Sequence, residues 1–148
     1  MAASKAELRQ RLEGGLRPGR FAPLRSDFAA REPAAVFHVL FPIAVEFTGD
    51  GADQVAARLL VDLEPACPVS CRDALISLAF ADWWVSDKLV PYYLVTQFGK
   101  RKLLRVADEL VAEAGLTGSQ ITAITGVVYW ARLPTVRLLA PFLPWEPR

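Results

Sequence analysis

Residues 34–47, AAVFHVLFPIAVEF, decide the fold class. Alternation places Val36, His38 and Leu40 on one side, and Phe37, Val39 and Phe41 on the other. Both sides are mostly apolar, so the period does not separate strand from helix. The β-branched and aromatic content favours a strand. Length, together with Pro33 as a first helical residue, favours a buried helix kinked at Pro42. We read the stretch as helix, which makes the chain mainly α. As a strand it would make the fold α+β.

The flanking sequence is predominantly helical. Ser4–Glu13 has a cap residue in Ser4, a capping-box partner in Glu7 and a stop at Gly14–Gly15. Residues 14–33 hold Gly14, Gly15, Pro18, Gly19, Pro23 and Pro33, which predicts a loop or extended arm, with Leu16, Phe21, Leu24 and Phe28 able to wrap the domain. After the turn chemistry of Asp50–Asp53, Val55, Leu59 and Leu63 follow a helical period, widened by Leu60 and Val61, until Pro65 and Pro68 break it. Ser70 and Asp73 open the next helix, through Ala74, Leu75, Leu78 and Ala79. Asp82–Val85 reads as a connection, and Ser86 as the cap of a helix running to Phe98, with Gly99 closing it. Residues 100–114, KRKLLRVADELVAEA, give the strongest helical signal, with Leu103, Val106, Ala107, Leu110 and Val111 as one stripe. Thr117 or Ser119 starts a last long helix that reaches Arg132 before Pro134. Residues 134–148 then allow a short helix and a Pro-rich tail.

Ala74 and Leu78 recur, 33 residues on, as Ala107 and Val111, each pair followed by a short link and another helix. This echo across residues 53–133 loosely resembles HEAT or armadillo helix pairs, without a diagnostic motif. The expected architecture is a compact helical bundle or a short HEAT-like stack of antiparallel helix pairs. Residues 1–33 form an N-terminal helix and extended arm, and residues 34–148 a single helical domain.

At 148 residues, with 53% hydrophobic and 22% charged residues, the chain suits one globular domain with a core of its own. The net charge of +1 offers no global field toward nucleic acid or acidic membranes. Its distribution is uneven: residues 1–33 carry seven basic and four acidic side chains, 46–87 eight acidic and two basic, and 88–148 eight basic and four acidic. The start lacks the apolar segment of a secretory signal. The longest uncharged stretch, Ala114–Ala131, is too polar to span a bilayer readily. Two cysteines require no disulfide framework. A cytoplasmic location is therefore expected, and the Ala, Arg, Leu and Pro richness has a bacterial character.

No local motif announces catalysis. The sequence has no Gly-rich phosphate loop, nucleophile elbow or EF-hand spacing, and no cofactor or metal is expected. His38, the single histidine, is a general base or ligand by chemistry, but its apolar neighbours favour a structural histidine bonded to backbone. Cys67 and Cys71 have the wrong spacing for a redox pair. Cys71 at a helix N-terminus is reactive if the dipole lowers its pKa, and otherwise a small buried apolar residue. Asp82 and Asp87 flank two tryptophans and read as caps and turn formers rather than a paired-carboxylate site. Lys100, Arg101 and Lys102, with Arg105, open a helix where the dipole disfavours them, but Asp108, Glu109 and Glu113 follow, and Arg105–Glu109 is an i,i+4 pair.

The adjacent aromatics are the strongest functional signal: Trp83-Trp84, Tyr92-Tyr93 and Tyr129-Trp130. Helical neighbours point about 100° apart, so one member of each pair is a candidate for exposure. Trp84, Tyr93 and Trp130 are the expected surface anchors, with Phe142 and Trp145 of the tail as alternative cover. The leading expectation is a non-enzymatic interaction module that uses an aromatic and apolar helical surface for a protein partner or a second copy. The alternative is a small-molecule-binding protein or small enzyme with an interhelical aromatic pocket, using His38 or Cys71. A nucleic-acid accessory role through Lys100, Arg101 and Lys102 ranks third, because phosphate affinity needs a larger basic footprint.

Overall fold

The computed structural model describes residues 4–113 and 115–134, and all regular elements among them are helical. The deciding stretch is helix. Helix α3 spans Pro33–Ala44 with Pro33 at its first turn. It buries Val36, Phe37, Leu40, Phe41, Ile43 and Ala44, a face wide enough to erase any period in the sequence. Tertiary cover outweighs strand propensity here. Pro42 has no N–H for the His38 carbonyl, yet the last turn closes through Val45 N–H to Phe41 O at 3.1 Å.

Helix α1, Lys5–Glu13, begins where Ser4 accepts from the Glu7 amide at 3.2 Å, and a 3-10 turn follows over Gly14–Leu16. The expected extended arm is instead mostly helix. Helix α2, Phe21–Ala29, buries Phe21, Leu24 and Phe28. Pro23 does not break it, because the first-turn amides of a helix lack intrahelical acceptors and lose nothing to proline. The wrapping residues were read correctly and their conformation was not.

Helix α4, Ala52–Leu63, starts after Gly51 in the left-handed region (φ +84°), where a Cβ would come within 2.3 Å of the Leu16 side chain. Asp50 Oδ1 accepts from the Ala52 amide at 2.9 Å. Eight of its residues are buried, including Val55, Ala56, Ala57, Leu59 and Leu60. It packs against α1, α2, α3 and the later helix Leu89–Phe98, and so forms the centre of the N-terminal half.

Helix α5, Cys71–Phe80, is capped by Ser70, which accepts from the Asp73 amide at 3.1 Å. Helix α6, Leu89–Phe98, is not capped by Ser86. Lys88 holds the N-cap position without a side-chain bond, and Asp87, one residue earlier, supplies the acceptor, its Oδ1 taking the Leu89 amide at 2.9 Å. Helix α7, Lys100–Glu113, follows Gly99 and buries Leu103, Val106, Ala107 and Leu110. Val111 is exposed, so the echo of Ala74 and Leu78 does not extend to equivalent burial. Helix α8, Gly118–Ala131, has a full capping box. Thr117 accepts from the Gln120 amide, and Gln120 Oε1 accepts from the Thr117 amide at 2.9 Å. Helices α5 to α8 pack on one another, and α6 joins them to α4. The result is one compact all-helical bundle with a continuous core. The expected short helix and Pro-rich tail beyond Pro134, and cover by Phe142 and Trp145, lie outside the described residues.

Tyr93 sits at the junction of the two halves. Fully buried on α6, it stacks near Phe37 of α3 (centroids 6.3 Å apart) and donates to the buried Pro65 carbonyl at 2.7 Å. Replacing Tyr93 with Phe strands that carbonyl. Unfolding free energy should fall by about 1–3 kcal/mol, read as a lower urea midpoint with unchanged slope. A midpoint equal to wild type would show that the carbonyl finds another donor.

Candidate functional site

Four of the large exposed apolar side chains lie on the segment after α3, the α5–α6 connection and α8. Phe47 is fixed by its backbone, whose amide donates to Asp82 O at 2.8 Å, and its ring stacks on Trp84 with centroids 5.3 Å apart. Val85 follows Trp84, and its carbonyl accepts from Trp130 Nε1 at 2.8 Å. Tyr129 meets Trp130 edge to face at 5.1 Å. Phe47, Trp84, Val85 and Tyr129 are all exposed, Tyr129 by 61%. Trp130, tied to Val85, is only partly exposed. Beside this ridge an open groove of about 370 Å³ runs between Val85 and α8, lined by Ile121, Thr122, Thr125, Gly126 and Tyr129. Gly126 sets its depth. A Cβ there would stand 3.1 Å from the Trp83 ring and 3.3 Å from the Val85 side chain.

The ridge is held from beneath by a buried acid. Trp83 is buried, and its Nε1 donates to Asp87 Oδ2 at 3.1 Å while the other carboxylate oxygen caps α6. Trp83 therefore points in, and the next residue, Trp84, points out. Burial pushes the Asp87 carboxyl up to about 6, although the Leu89 and Val90 amides and the Trp83 indole favour its charged form. Asp53 of α4 adds like charge. Asp53 is itself buried, its Oδ1 has no hydrogen-bond partner among the described residues, and burial raises its pKa too. Asp50, close by, is held below the usual carboxylate range: burial opposes this, but hydrogen bonds from Arg9, Ala52 and Thr48 prevail.

The structure separates the other sequence candidates from this surface. Trp84 is exposed as expected. Tyr93 is not a surface anchor: α6 turns Tyr93 into the core and leaves Tyr92 partly covered. Trp130 yields the outermost position to Tyr129, because its indole N–H is used internally. Phe47 and Phe80 were missed, the one lying after α3 and the other ending α5, where no pairing drew attention to them. Lys100, Arg101 and Lys102 are exposed at the start of α7. Lys102 lies 5.8 Å from the Phe98 ring centre, Lys100 reaches Arg132 O at 3.5 Å, and Arg105 pairs with Glu109 at 3.9 Å.

Cys71 is buried, and burial pushes its thiol up; nearby Lys102 and Arg105 only partly offset this. The dipole-activated reading is therefore reversed, and the small apolar reading fits. Cys67 is likewise raised by burial, and its Sγ faces the Val69 carbonyl at 3.5 Å. His38 is exposed rather than a buried histidine bonded to backbone. Its ring meets Phe37 edge to face at 5.5 Å. It lines a second groove of about 450 Å³, with Phe37, Phe41, Val69, Ser77 and Phe80. Cys71 does not line that groove. Among the described residues, no group of three or more His, Cys, Asp or Glu is placed to hold a metal ion, and no helix is long and apolar enough to cross a membrane.

No protein-family model, curated protein or solved structure matches the chain.

The buried acid gives a pH signature. The folded-state pKa of Asp87 lies above its unfolded value of 3.8, so the native state binds the extra proton between the two values, and stability falls as pH rises from about 4 through 6. The difference in unfolding free energy between wild type and Asp87→Asn should shrink by about 3 kcal/mol from pH 3.5 to 7. Urea unfolding across that range measures it. A constant difference would mean that Asp87 has the same pKa folded as unfolded.

Proposed function

We propose that the chain is a non-enzymatic interaction module whose docking surface is the ridge of Phe47, Trp84, Val85 and Tyr129 and the groove beside it. The observation that carries this reading is the stacked, exposed Phe47–Trp84 pair beside a groove shared by Val85 and Tyr129, on segments pinned by three internal bonds: Phe47 to Asp82, Trp130 to Val85, and Trp83 to Asp87. Isolated apolar side chains are normal on protein surfaces, but a connected, rimmed patch is what partner sites use. Tryptophan and tyrosine give large contact area with few rotatable bonds, so little entropy is lost on docking. The groove's lining is mostly apolar with threonine hydroxyls, which suits an apolar segment of another protein.

A second reading places a small ligand in the His38 groove. His38, Lys5, Glu46 and Ser77 bring polar chemistry to an aromatic floor there. Cys71, being buried outside it, has no part in this reading. The basic start of α7 adds little to a nucleic-acid role, since Arg105 is paired with Glu109 and the remaining three cations make a small footprint.

Comparative affinity capture from source lysate tests the ridge. Trp84→Ala combined with Tyr129→Ala should lose the proteins that wild type retains, by tenfold or more, while far-UV circular dichroism and melting temperature stay close to wild type. Retention of the same proteins at the same level would sink the reading. Loss confined to a His38→Ala variant would move the site to the second groove.

A further inference from the structure

The N-terminal third carries seven cations, and they are not equally satisfied. Lys5 pairs with Glu46, Arg9 with Asp50, Arg11 and Arg31 with Asp27, and Arg25 with Asp62. Arg17 and Arg20 have no acidic partner among the described residues, and both line the same cleft, of about 440 Å³, between the 3-10 turn and α2. Arg11 stands on its wall, and Leu24 contributes apolar lining.

The local electrostatics leave this pair uncompensated. Arg20 occupies the N-cap of α2 without a side-chain cap hydrogen bond, and the first turn of α2 contains no acid. The positive end of a helix dipole repels cations, so two unpaired arginines beside it are at odds with the fold's own charges. Gly14 lines the cleft beside open space, a Cβ there meeting nothing within 4 Å. Gly15 closes its inner side, its Cβ position lying 3.0 Å from Val55 and 3.1 Å from Leu24.

We propose that this cleft binds the phosphate group of a small soluble ligand, with Arg17 and Arg20 as its principal holders and Arg11 at the rim. Guanidinium forks match phosphate oxygens two at a time. Charge selects phosphate over carboxylate. With Arg11 paired to Asp27, Arg17 and Arg20 leave the cleft an excess of about two positive charges, which suits the roughly dianionic charge of a phosphate monoester near neutral pH. The cleft volume falls in the range of small-molecule sites. This site is independent of the aromatic ridge.

The test is calorimetric and NMR titration of the full chain with inorganic pyrophosphate at fixed ionic strength, with acetate as the carboxylate control. Wild type should bind pyrophosphate saturably and acetate at least tenfold more weakly. Arg17→Ala with Arg20→Ala should weaken pyrophosphate binding tenfold or more, and the matching double lysine variant should weaken it less. Both arginines are exposed, so an unchanged melting temperature checks that the fold is intact. The Trp84→Ala, Tyr129→Ala protein should bind pyrophosphate as wild type does. Equal binding by wild type and the double alanine variant, no saturable binding, or acetate binding as tightly as pyrophosphate would each overturn the proposal. If binding appears only with anionic phospholipid vesicles and not with free pyrophosphate, the soluble-ligand assignment fails as well.

Discussion

Helix α4 must be covered on nearly every side. Its buried set runs from Ala52 to Val61, with only Gln54 and Arg58 interrupting it. A helix apolar over all but one stripe, here Gln54, Arg58 and Asp62, finds stability only inside a shell of others. Here α1, α2, α3 and α6 supply that shell. Ala52, Ala56 and Ala57 let their backbones come close, while Leu59 and Leu60 fill the wider spaces. This requirement draws residues 14–33 into the domain. Phe21, Leu24 and Phe28 fold as helix α2, whose apolar face joins the common core. It also explains why α3 is apolar on both of its alternating faces.

The same central helix brings a cost. Asp53, in its first turn, suits the positive end of the helix dipole, but the shell then encloses its carboxylate. Asp87, capping α6, is enclosed with it, and the two acids raise each other's energy when charged. A buried charge is costly unless hydrogen bonds satisfy it. The bonds from Trp83 and Leu89 to Asp87 do this, and they join the α5–α6 connection to the start of α6 and orient the tandem tryptophans.

How much of this was legible in the sequence depended on whether local chemistry or tertiary packing made the decision. Ser4, Ser70 and Thr117 were readable as caps because capping involves residues three apart. Helix α7 was readable because one face meets water and the other does not. Helix α6 was different: Leu89, Val90, Tyr93 and Leu94 are buried and Tyr92 partly so, which leaves no polar stripe to tell the two tyrosines apart. The choice of Tyr93 as an outer residue failed for that reason. Ser86 and Asp87 both offered cap chemistry at the start of α6, and it is Asp87 that accepts, from the Leu89 amide and from the Trp83 indole four residues back. The helix over 21–29 was hidden by counting Pro23 as a breaker, when its place in the first turn makes it harmless. At the candidate surface, the rule that one member of an aromatic pair faces out held for Trp83-Trp84, and the neighbouring Phe47 could be found only in three dimensions.

The ridge joins a fixed frame to exchangeable side chains. Its backbone is anchored through groups that are not themselves the contact residues: the Phe47 amide, the Val85 carbonyl and the Trp83 indole. Phe47, Trp84 and Tyr129 project outward from that frame and take little part in the core. Substitution at these three positions would therefore change what the surface recognises at low cost to folding. The outer side chains can drift one at a time while the scaffold presenting them stays the same.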